Sequence, residues 1–197
     1  ERVGLRLLVV ETDGSAPVGR GIGPALEARD VLAVLHQNSD APPDLRDRAL
    51  SLAGAVLELT GIAAAGTGNA IAIQTLQSGR ALMKFERICE AQGGMLQPPV
   101  ASHTRAVVAQ ADGIITSIDN RRLARAAKLA GAPRDAAAGI VLEVGLGDVV
   151  ERGQPLFRLH ADSPGELAYA AEYVSSQSPI VTIGPNDQRG TATGGSP

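Results

Sequence analysis

Glycines are concentrated at residues 19–23, which read Gly-Arg-Gly-Ile-Gly and are followed by Pro24. A glycine-rich turn between a strand and a helix can hold the phosphates of a dinucleotide. That fingerprint requires a third glycine three residues after the second, and Pro24 stands in its place. The sequence therefore favours the other interpretation, a tight turn that the close approach of another backbone segment makes necessary.

Few side chains have the type and spacing for catalysis or metal binding. His36, His103 and His160 fall in different predicted elements, with no cysteine or histidine at zinc-ligand spacing. Cys89 follows Ile88 in a predicted helix, and no histidine or basic residue is placed to stabilise a thiolate. It is therefore interpreted as a small buried hydrophobic residue. No zinc site and no thiol nucleophile are predicted.

Residues 113–115 and 147–156 look like the two halves of a biotinyl- or lipoyl-type barrel. Such a module carries its cofactor on a lysine at the tip of a hairpin. Lys128 is the only lysine between the two segments, and it falls in a predicted helix. A non-catalytic binding or carrier module is therefore the alternative from a different class of function, and the barrel shape does not depend on the cofactor.

Composition and charge exclude further classes of binding partner. Hydrophobic residues make up 44% of the 197 residues and aromatic residues only 2%, so the core must be aliphatic and stacking on nucleic-acid bases is poorly supported. The net charge of -3 comes without a basic block, which argues against nucleic-acid binding. No apolar run reaches the roughly 20 residues of a membrane span. The single Cys89 fits a reducing cytoplasm, so a cytoplasmic protein is expected.

The first half of the chain is predicted to be mostly helical. Residues 5–11 contain the apolar run Leu7 to Val10 and predict a buried strand. Apolar periodicity predicts helices at residues 24–36, 44–60, 69–77 and 80–92. Because Glu1 replaces an initiator methionine and leads directly into this strand, we expect the sequence to be a fragment of a larger protein.

The second half, after residue 98, is predicted to mix strands with two helices, which makes the chain an α+β protein with a small barrel-sandwich-like β structure. Asp119 is predicted to cap one helix, and Ser163 with Glu166 forms a capping box before the other. The helices are expected at residues 121–130 and 163–175, and the strands at residues 113–118, 139–144, 155–160 and 180–183, with a further strand beginning at residue 107.

Four segments together resemble one family. Residues 18–30, 76–94, 113–123 and 147–156 are similar, in this order, to signature segments of thymidine and pyrimidine-nucleoside phosphorylases. The resemblance extends over about residues 5–183. It identifies residues 1–97 as the carboxy-terminal portion of the family's central α/β domain and residues 98–184 as its carboxy-terminal α+β domain. Residues 185–197 are expected to be a disordered tail.

This resemblance implies phosphorolysis. Inorganic phosphate attacks the anomeric carbon of a nucleoside, which releases the free base and leaves a sugar 1-phosphate. In the family, the phosphate loop and the base-binding Arg, Ser and Lys lie upstream of the matched region. We therefore assign no catalytic residue and expect the fragment alone to be inactive. The resemblance also implies a homodimer that pairs through an upstream helical domain, with nucleoside and phosphate as partners and no required organic cofactor.

Two finer expectations follow from the resemblance. Pro24 departs from the common pyrimidine branch. It is similar to the AMP phosphorylase branch and to the thymidine-phosphorylase-like bacterial proteins close to that branch, so a nucleoside-monophosphate phosphorylase stays open as the alternative. Some members hold a monovalent cation, and the matching ligands here are the carbonyls of Val18 and Gly21 and the carboxylate of Asp30. A potassium ion at this place is expected, against the alternative that Asp30 is only a solvated helix residue.

Overall fold

The computed structural model describes residue 4, residues 6–176 and residues 178–186. It divides the chain into two compact units. The amino-terminal unit comprises residues 1–13 and 27–98, and the carboxy-terminal unit comprises residues 14–26 and 99–197. The tail predicted at residues 185–197 lies outside the described residues from position 187 onward.

Helices form the amino-terminal unit, and each lies within one residue of its predicted bounds. Prolines occupy the first position of α1 and α2, where the missing N–H costs no hydrogen bond, and the left-handed Gly79 (φ 75°) separates α3 from α4. The four helices are α1 (Pro24–Leu35, whose first turn belongs to the other unit), α2 (Pro43–Leu59), α3 (Gly68–Gln77) and α4 (Arg80–Ala91).

α2 and α3 cross at a pair of glycines. A Cβ atom added to Gly54 would lie 2.6 Å from the backbone nitrogen of Asn69, and one added to Gly68 would collide with the carbonyl oxygen of Gly54. The two backbones therefore touch directly. Beside this crossing, the carboxylate of Glu58 accepts a hydrogen bond of 2.9 Å from the backbone N–H of Gly68.

The strand predicted at residues 5–11 is wrong for the part that the structure describes. Residues 6–11 adopt neither helix nor strand, and they pair with no strand among the described residues. Leu7 is 83% exposed and Val9 is 74% exposed. The apolar residues of this segment favour the conformation of a strand. A strand also needs a neighbouring strand whose backbone exchanges hydrogen bonds with it.

The carboxy-terminal unit is α+β, as predicted, and contains two antiparallel sheets. One sheet has the strand order β1-β4-β6-β2 and the other has the order β5-β3-β7. Within the described residues these sheets do not close into a barrel. The strands are β1 (Gly21–Ile22), β2 (His103–Val108), β3 (Gly113–Ile118), β4 (Gly139–Leu142), β5 (Val149–Val150), β6 (Pro155–Ala161) and β7 (Val181–Gly184), and the helices are α5 (Asn120–Leu129) and α6 (Pro164–Ser176).

β2 is displaced relative to the prediction, because it ends at Val108 instead of beginning at Val107. Its earlier residues are His103, Thr104 and Arg105, whose polar side chains interrupt the apolar pattern by which a buried strand is recognised. They are tolerated because β2 is the last strand of its sheet. The two-residue strands β1 and β5 were not predicted, since so short a segment carries no periodicity.

The core of the carboxy-terminal unit is aliphatic, as composition predicts. Both helices pack apolar faces on the larger sheet, where Phe157 and Leu159 of the interior strand β6 are fully buried. Asp119 caps α5 by accepting from the N–H of Arg122 at 3.0 Å. Ser163 accepts from the N–H of Glu166 at 3.2 Å, so both predicted caps are confirmed.

The hydrogen bond of Glu58 predicts that the stability of the crossing between α2 and α3 falls in acid. Hydrogen bonds from the backbone of Gly68 and then of Gly66 hold the pKa of Glu58 below its ordinary value. A lowered folded-state pKa contributes stability above the carboxyl's ordinary pKa, and this contribution is lost as the pH falls through the folded-state pKa. We expect Glu58→Gln to lower the urea midpoint at pH 7 and to have a smaller effect at pH 3.

The matched control is Glu86→Gln on the exposed face of α4, which should leave the midpoint unchanged at both pH values. An equal loss of stability for Glu58→Gln at pH 7 and pH 3 would show that the charge of this carboxylate does not stabilise the crossing.

Candidate functional site

The glycine-rich turn is built into the carboxy-terminal unit by backbone contacts. β1 pairs antiparallel with β4, with Ile22 opposite Ile140. Next to this pair, the backbone N–H of Leu142 donates to the carbonyl oxygen of Arg20 at 2.8 Å. The turn is therefore the first strand of the larger sheet, and its position is set by a segment more than 100 residues further along the chain.

Gly23 and Gly139 permit this pairing. Gly23 has φ 137°, and a Cβ atom there would collide with the carbonyl oxygen of Ala138. Gly139 has φ 148°, and a Cβ atom there would collide with the carbonyl oxygen of Ile22. Any side chain at either position would force the two backbone segments apart. The predicted tight turn, required by close backbone approach, is confirmed at Gly23.

The dinucleotide-binding interpretation of this turn does not fit the structure. A dinucleotide is held by free backbone N–H groups at the helix amino terminus, beside parallel strands. Here Pro24 has no N–H, and the N–H of Ala25 donates to the carbonyl oxygen of Ala136 at 2.9 Å. The neighbour of β1 is the antiparallel β4. This end of α1 is occupied by the protein's own backbone.

The residues predicted to bind potassium lie in both units. Val18 and Gly21 belong to the carboxy-terminal unit, with Gly21 in β1, whereas Asp30 is a half-buried residue of α1 in the part that belongs to the amino-terminal unit. Carbonyl and carboxylate oxygens are hard donors of the kind that such a cation prefers. The cation site stays a prediction.

The histidines and the cysteine are not brought together. His103 lies opposite Ala161, and His160 lies opposite Thr104 in the same strand pair, so the two histidines face opposite sides of the sheet. Cys89 is a free, half-buried thiol of α4 in the other unit. Among the described residues, no group of three or more His, Cys, Asp or Glu side chains is placed to hold a metal ion.

The two barrel-like segments do pair, through Gly113 of β3 and Val150 of β5. Lys128, however, lies in the last turn of α5. A carrier lysine must stand at the tip of a hairpin to be modified and to swing. The two segments are therefore paired, but this lysine does not lie where it could carry a group.

A surface ion cluster connects the loop after α5 with the beginning of α6. The guanidinium of Arg134 contacts Glu166 at 2.7 Å and Asp135 at 3.3 Å. The hydrogen bond from Arg134 is the largest cause that lowers the pKa of Asp135. Ser163 completes the cluster by donating to the second oxygen of Glu166 at 2.8 Å. Because Arg134 is exposed, this cluster contributes little stability, and what it does is hold the loop against the helix cap.

The larger cavity, about 650 Å³, lies in the carboxy-terminal unit beside the edge strands β2 and β7. Its lining is mostly apolar, and Arg105 is its only charged side chain among the described residues. Such a cleft can hold an apolar group but offers no acid–base pair. It is lined by Arg105, Ala106, Val107, Val108, Gln110, Ala111, Leu156, Phe157, Ala171, Val174, Ser175, Pro179, Ile180, Val181, Thr182 and Ile183.

A smaller cavity of about 300 Å³ lies in the amino-terminal unit, between the ends of α1 and α3 and the start of α2. Its charged members are Arg46 and Asp47, which bond to each other at 2.8 Å. This bond raises the pKa of Arg46, so this guanidinium is not poised to transfer a proton.

Comparison with known sequences identifies the family. Residues 114–181 match the pyrimidine nucleoside phosphorylase C-terminal domain. A protein of Polaromonas sp., provisionally named thymidine phosphorylase, is 62% identical over 93% of this chain, which covers 36% of that protein. Relatives of the same provisional name from Chelativorans sp. and Tolumonas auensis are each 57% identical over 92% of this chain.

This chain belongs to the thymidine and pyrimidine-nucleoside phosphorylase family. It spans about a third of the length of the curated relatives that it matches. The resemblance inferred from the four signature segments is thereby confirmed. None of the helices in the described ranges of this chain has the length and apolar content of a membrane span.

Two features of this chain were missed in the sequence. One is the pairing of the glycine turn with β4, and the other is the cavity beside β2 and β7. The sequence does contain a sign of the pairing with β4, because Gly139 starts a predicted strand at a position where a β-branched residue is usual. The second had none, since the cavity depends on the distance between two sheet edges.

The glycine contact predicts a large penalty for one added methyl group. Gly23→Ala combines strain at a positive φ, about 1–2 kcal/mol, with a backbone collision that adds about 1–3 kcal/mol. Gly147→Ala is the matched control, because Gly147 also has a positive φ (85°) but nothing lies within 4 Å of the added atom. Urea unfolding should show the larger loss of stability for Gly23→Ala, and equal losses would contradict the close contact.

Proposed function

We propose that this chain is the carboxy-terminal part of an enzyme that cleaves the N-glycosidic bond of a pyrimidine nucleoside with inorganic phosphate. The products are the free base and ribose or deoxyribose 1-phosphate. The observation that carries the proposal is the 62% identity to a relative provisionally named thymidine phosphorylase, together with the match to the family's carboxy-terminal domain.

The chemistry of this reaction explains why the chain should be inactive alone. The enzyme must bind a phosphate dianion with N–H groups and a cationic side chain, stabilise the negative charge that develops on the departing base, and exclude water. Neither cavity of the described residues combines an anion-binding group with an acid–base pair. In this proposal the catalytic groups lie in the stretch of the relatives' sequence that this chain does not match.

The contribution of this chain is then to hold the glycine turn and the start of α1. Backbone hydrogen bonds at Arg20 and Ala25 attach this segment to the residues around β4. Both contacts are main-chain contacts, so they do not depend on particular side chains. A turn fixed in this way can support catalytic residues that approach it from the rest of the protein.

The activity is tested with thymidine, uridine and AMP, each with and without inorganic phosphate. The samples are the 197-residue chain, the full-length Polaromonas relative, and a chimaera in which this chain replaces the matching part of that relative. The proposal expects phosphate-dependent release of thymine by the relative and the chimaera, and none above background by the chain alone.

Each other outcome has a definite meaning. At least tenfold higher kcat/KM for AMP than for thymidine would favour the alternative, a nucleoside-monophosphate phosphorylase, which Pro24 leaves open. Activity of the chain alone would overturn the assignment of the catalytic groups. A folded chimaera without any phosphorolysis, next to an active relative, would overturn the proposed function.

We propose in addition that potassium is held by the carbonyls of Val18 and Gly21 and by the carboxylate of Asp30. Replacing potassium with tetramethylammonium should then lower both the activity and the melting temperature of the chimaera. Asp30→Asn should reduce this difference, whereas Asp40→Asn, in an exposed turn, should not. Equal melting temperatures and activities in the two salts would remove the cation from the proposal.

A further inference from the structure

The outer edge of β2 carries main-chain groups that border no further strand. β2 pairs with β6 on one side, and no strand that the structure describes lies on its other side. β7 likewise ends the smaller sheet, where it pairs with β3. In an antiparallel strand about half of the main-chain N–H and C=O groups point to each side. Each of these two edges can therefore accept another strand.

The cavity of about 650 Å³ runs along both edges. It is lined by the consecutive residues 105–108 at β2 and 179–183 at β7. A cavity above the face of a sheet would be lined by alternate residues, because neighbouring side chains point to opposite faces. The consecutive lining therefore places the cavity beside the strands, where their main-chain groups border it. Its volume lies in the range of about 300–1,000 Å³ that ligand sites occupy.

The borders of this cavity favour a peptide over a hydrocarbon as the occupant. A hydrocarbon would cover the main-chain donors and acceptors of the strand edges without offering them hydrogen bonds, which costs free energy. An extended peptide supplies an N–H and a C=O to such an edge, while its side chains fill the apolar space. At one end of the edge, the side-chain amide of Gln110 already donates to the carbonyl oxygen of Val108 at 3.2 Å.

The charge of Arg105 selects among peptides. Arg105 lies opposite Leu159 and Val107 lies opposite Phe157, so both side chains stand on the face of the sheet that carries these buried residues. No carboxylate of the described residues forms an ion pair with Arg105. A carboxylate opposite Arg105 in an added strand would be attracted, whereas the Arg105 of a second copy would be repelled.

We propose that β2 binds an extended acidic peptide of a partner protein, which adds to its open edge as a further strand. Apolar side chains of the peptide enter the cavity, and one carboxylate pairs with Arg105. The inference goes beyond the proposed function, because this binding requires neither a nucleoside nor phosphate.

Three blocked peptides test the proposal: Val-Thr-Glu-Thr-Val, and the same sequence with Gln or Lys in place of Glu. Their central residue and the two valines share one face of a strand, which matches Arg105 and Val107. In an NMR titration of the 197-residue chain, the Glu peptide should shift the amide signals of residues 105–107. It should bind about tenfold more tightly than the Lys peptide, because attraction to Arg105 is replaced by repulsion. Equal affinities would overturn the proposal.

A fourth probe tests the main-chain pairing. The Glu peptide with N-methyl groups on all its amides keeps its side chains but has no N–H to donate. It should not bind detectably, and binding as tight as that of the unmodified peptide would show that no strand is added to β2.

A pair of variants tests the role of Arg105. Arg105→Glu should reverse the preference, so that the Lys peptide binds about tenfold more tightly than the Glu peptide. The matched control is Arg121→Glu, which makes the same change of charge at an exposed residue of α5 that does not line the cavity. The control should keep the preference for the Glu peptide. If both variants reversed it, the effect would come from the net charge and the proposal would be wrong.

The other possible occupants give different results. Decanoate bound at least as tightly as the Glu peptide would identify a hydrocarbon site. Binding of the peptide only after removal of residues 187–197 would show that the chain's own end covers the edge. Binding to the chain but not to the chimaera described above would show that the rest of the protein covers it. Each of these three results would overturn the proposal. A chimaera that binds the Glu peptide but cleaves no nucleoside would support it and refute the proposed function.

Discussion

Two glycines allow two distant stretches of main chain to touch, and the larger sheet depends on that contact. With Gly23 and Gly139 in place, β1 joins β4, and the first turn of α1 is bonded to the loop before β4. The contact is possible only where no Cβ atom intervenes, so sterics decide whether it forms at all. The positions of β1 and of the first turn of α1 follow from it.

This contact also changes how the glycine-rich turn is understood. A motif that resembles a ligand-binding loop has its helix-end N–H group bonded to Ala136 within the protein. Its glycines serve backbone packing, and the same is true of Gly54 and Gly68 at the crossing of α2 with α3. In both units, glycine marks places where main chain meets main chain. The family match rests on the whole sequence and not on this motif.

Local features were predictable from the sequence, and features that depend on a distant partner were not. Helix bounds were accurate because Pro24, Pro43, Gly79 and the cap Asp119 act on their own neighbours. The strand at residues 5–11 failed because its apolar side chains say nothing about whether a neighbouring strand is present. β1 was missed because its partner lies more than 100 residues away. The family resemblance could be seen from short segments, but no catalytic group could be located in them.

The polar residues that made β2 hard to predict from the sequence also protect its exposed edge in the folded chain. β2 and β7 each end a sheet in the described residues, so each presents a row of main-chain donors and acceptors on its outer side. Such edges can recruit strands from other molecules and start aggregation. Arg105 places a positive charge on β2, where two copies meeting edge to edge would repel each other. The residues that make this strand hard to recognise therefore also help to keep concentrated solutions of the protein free of intermolecular sheets.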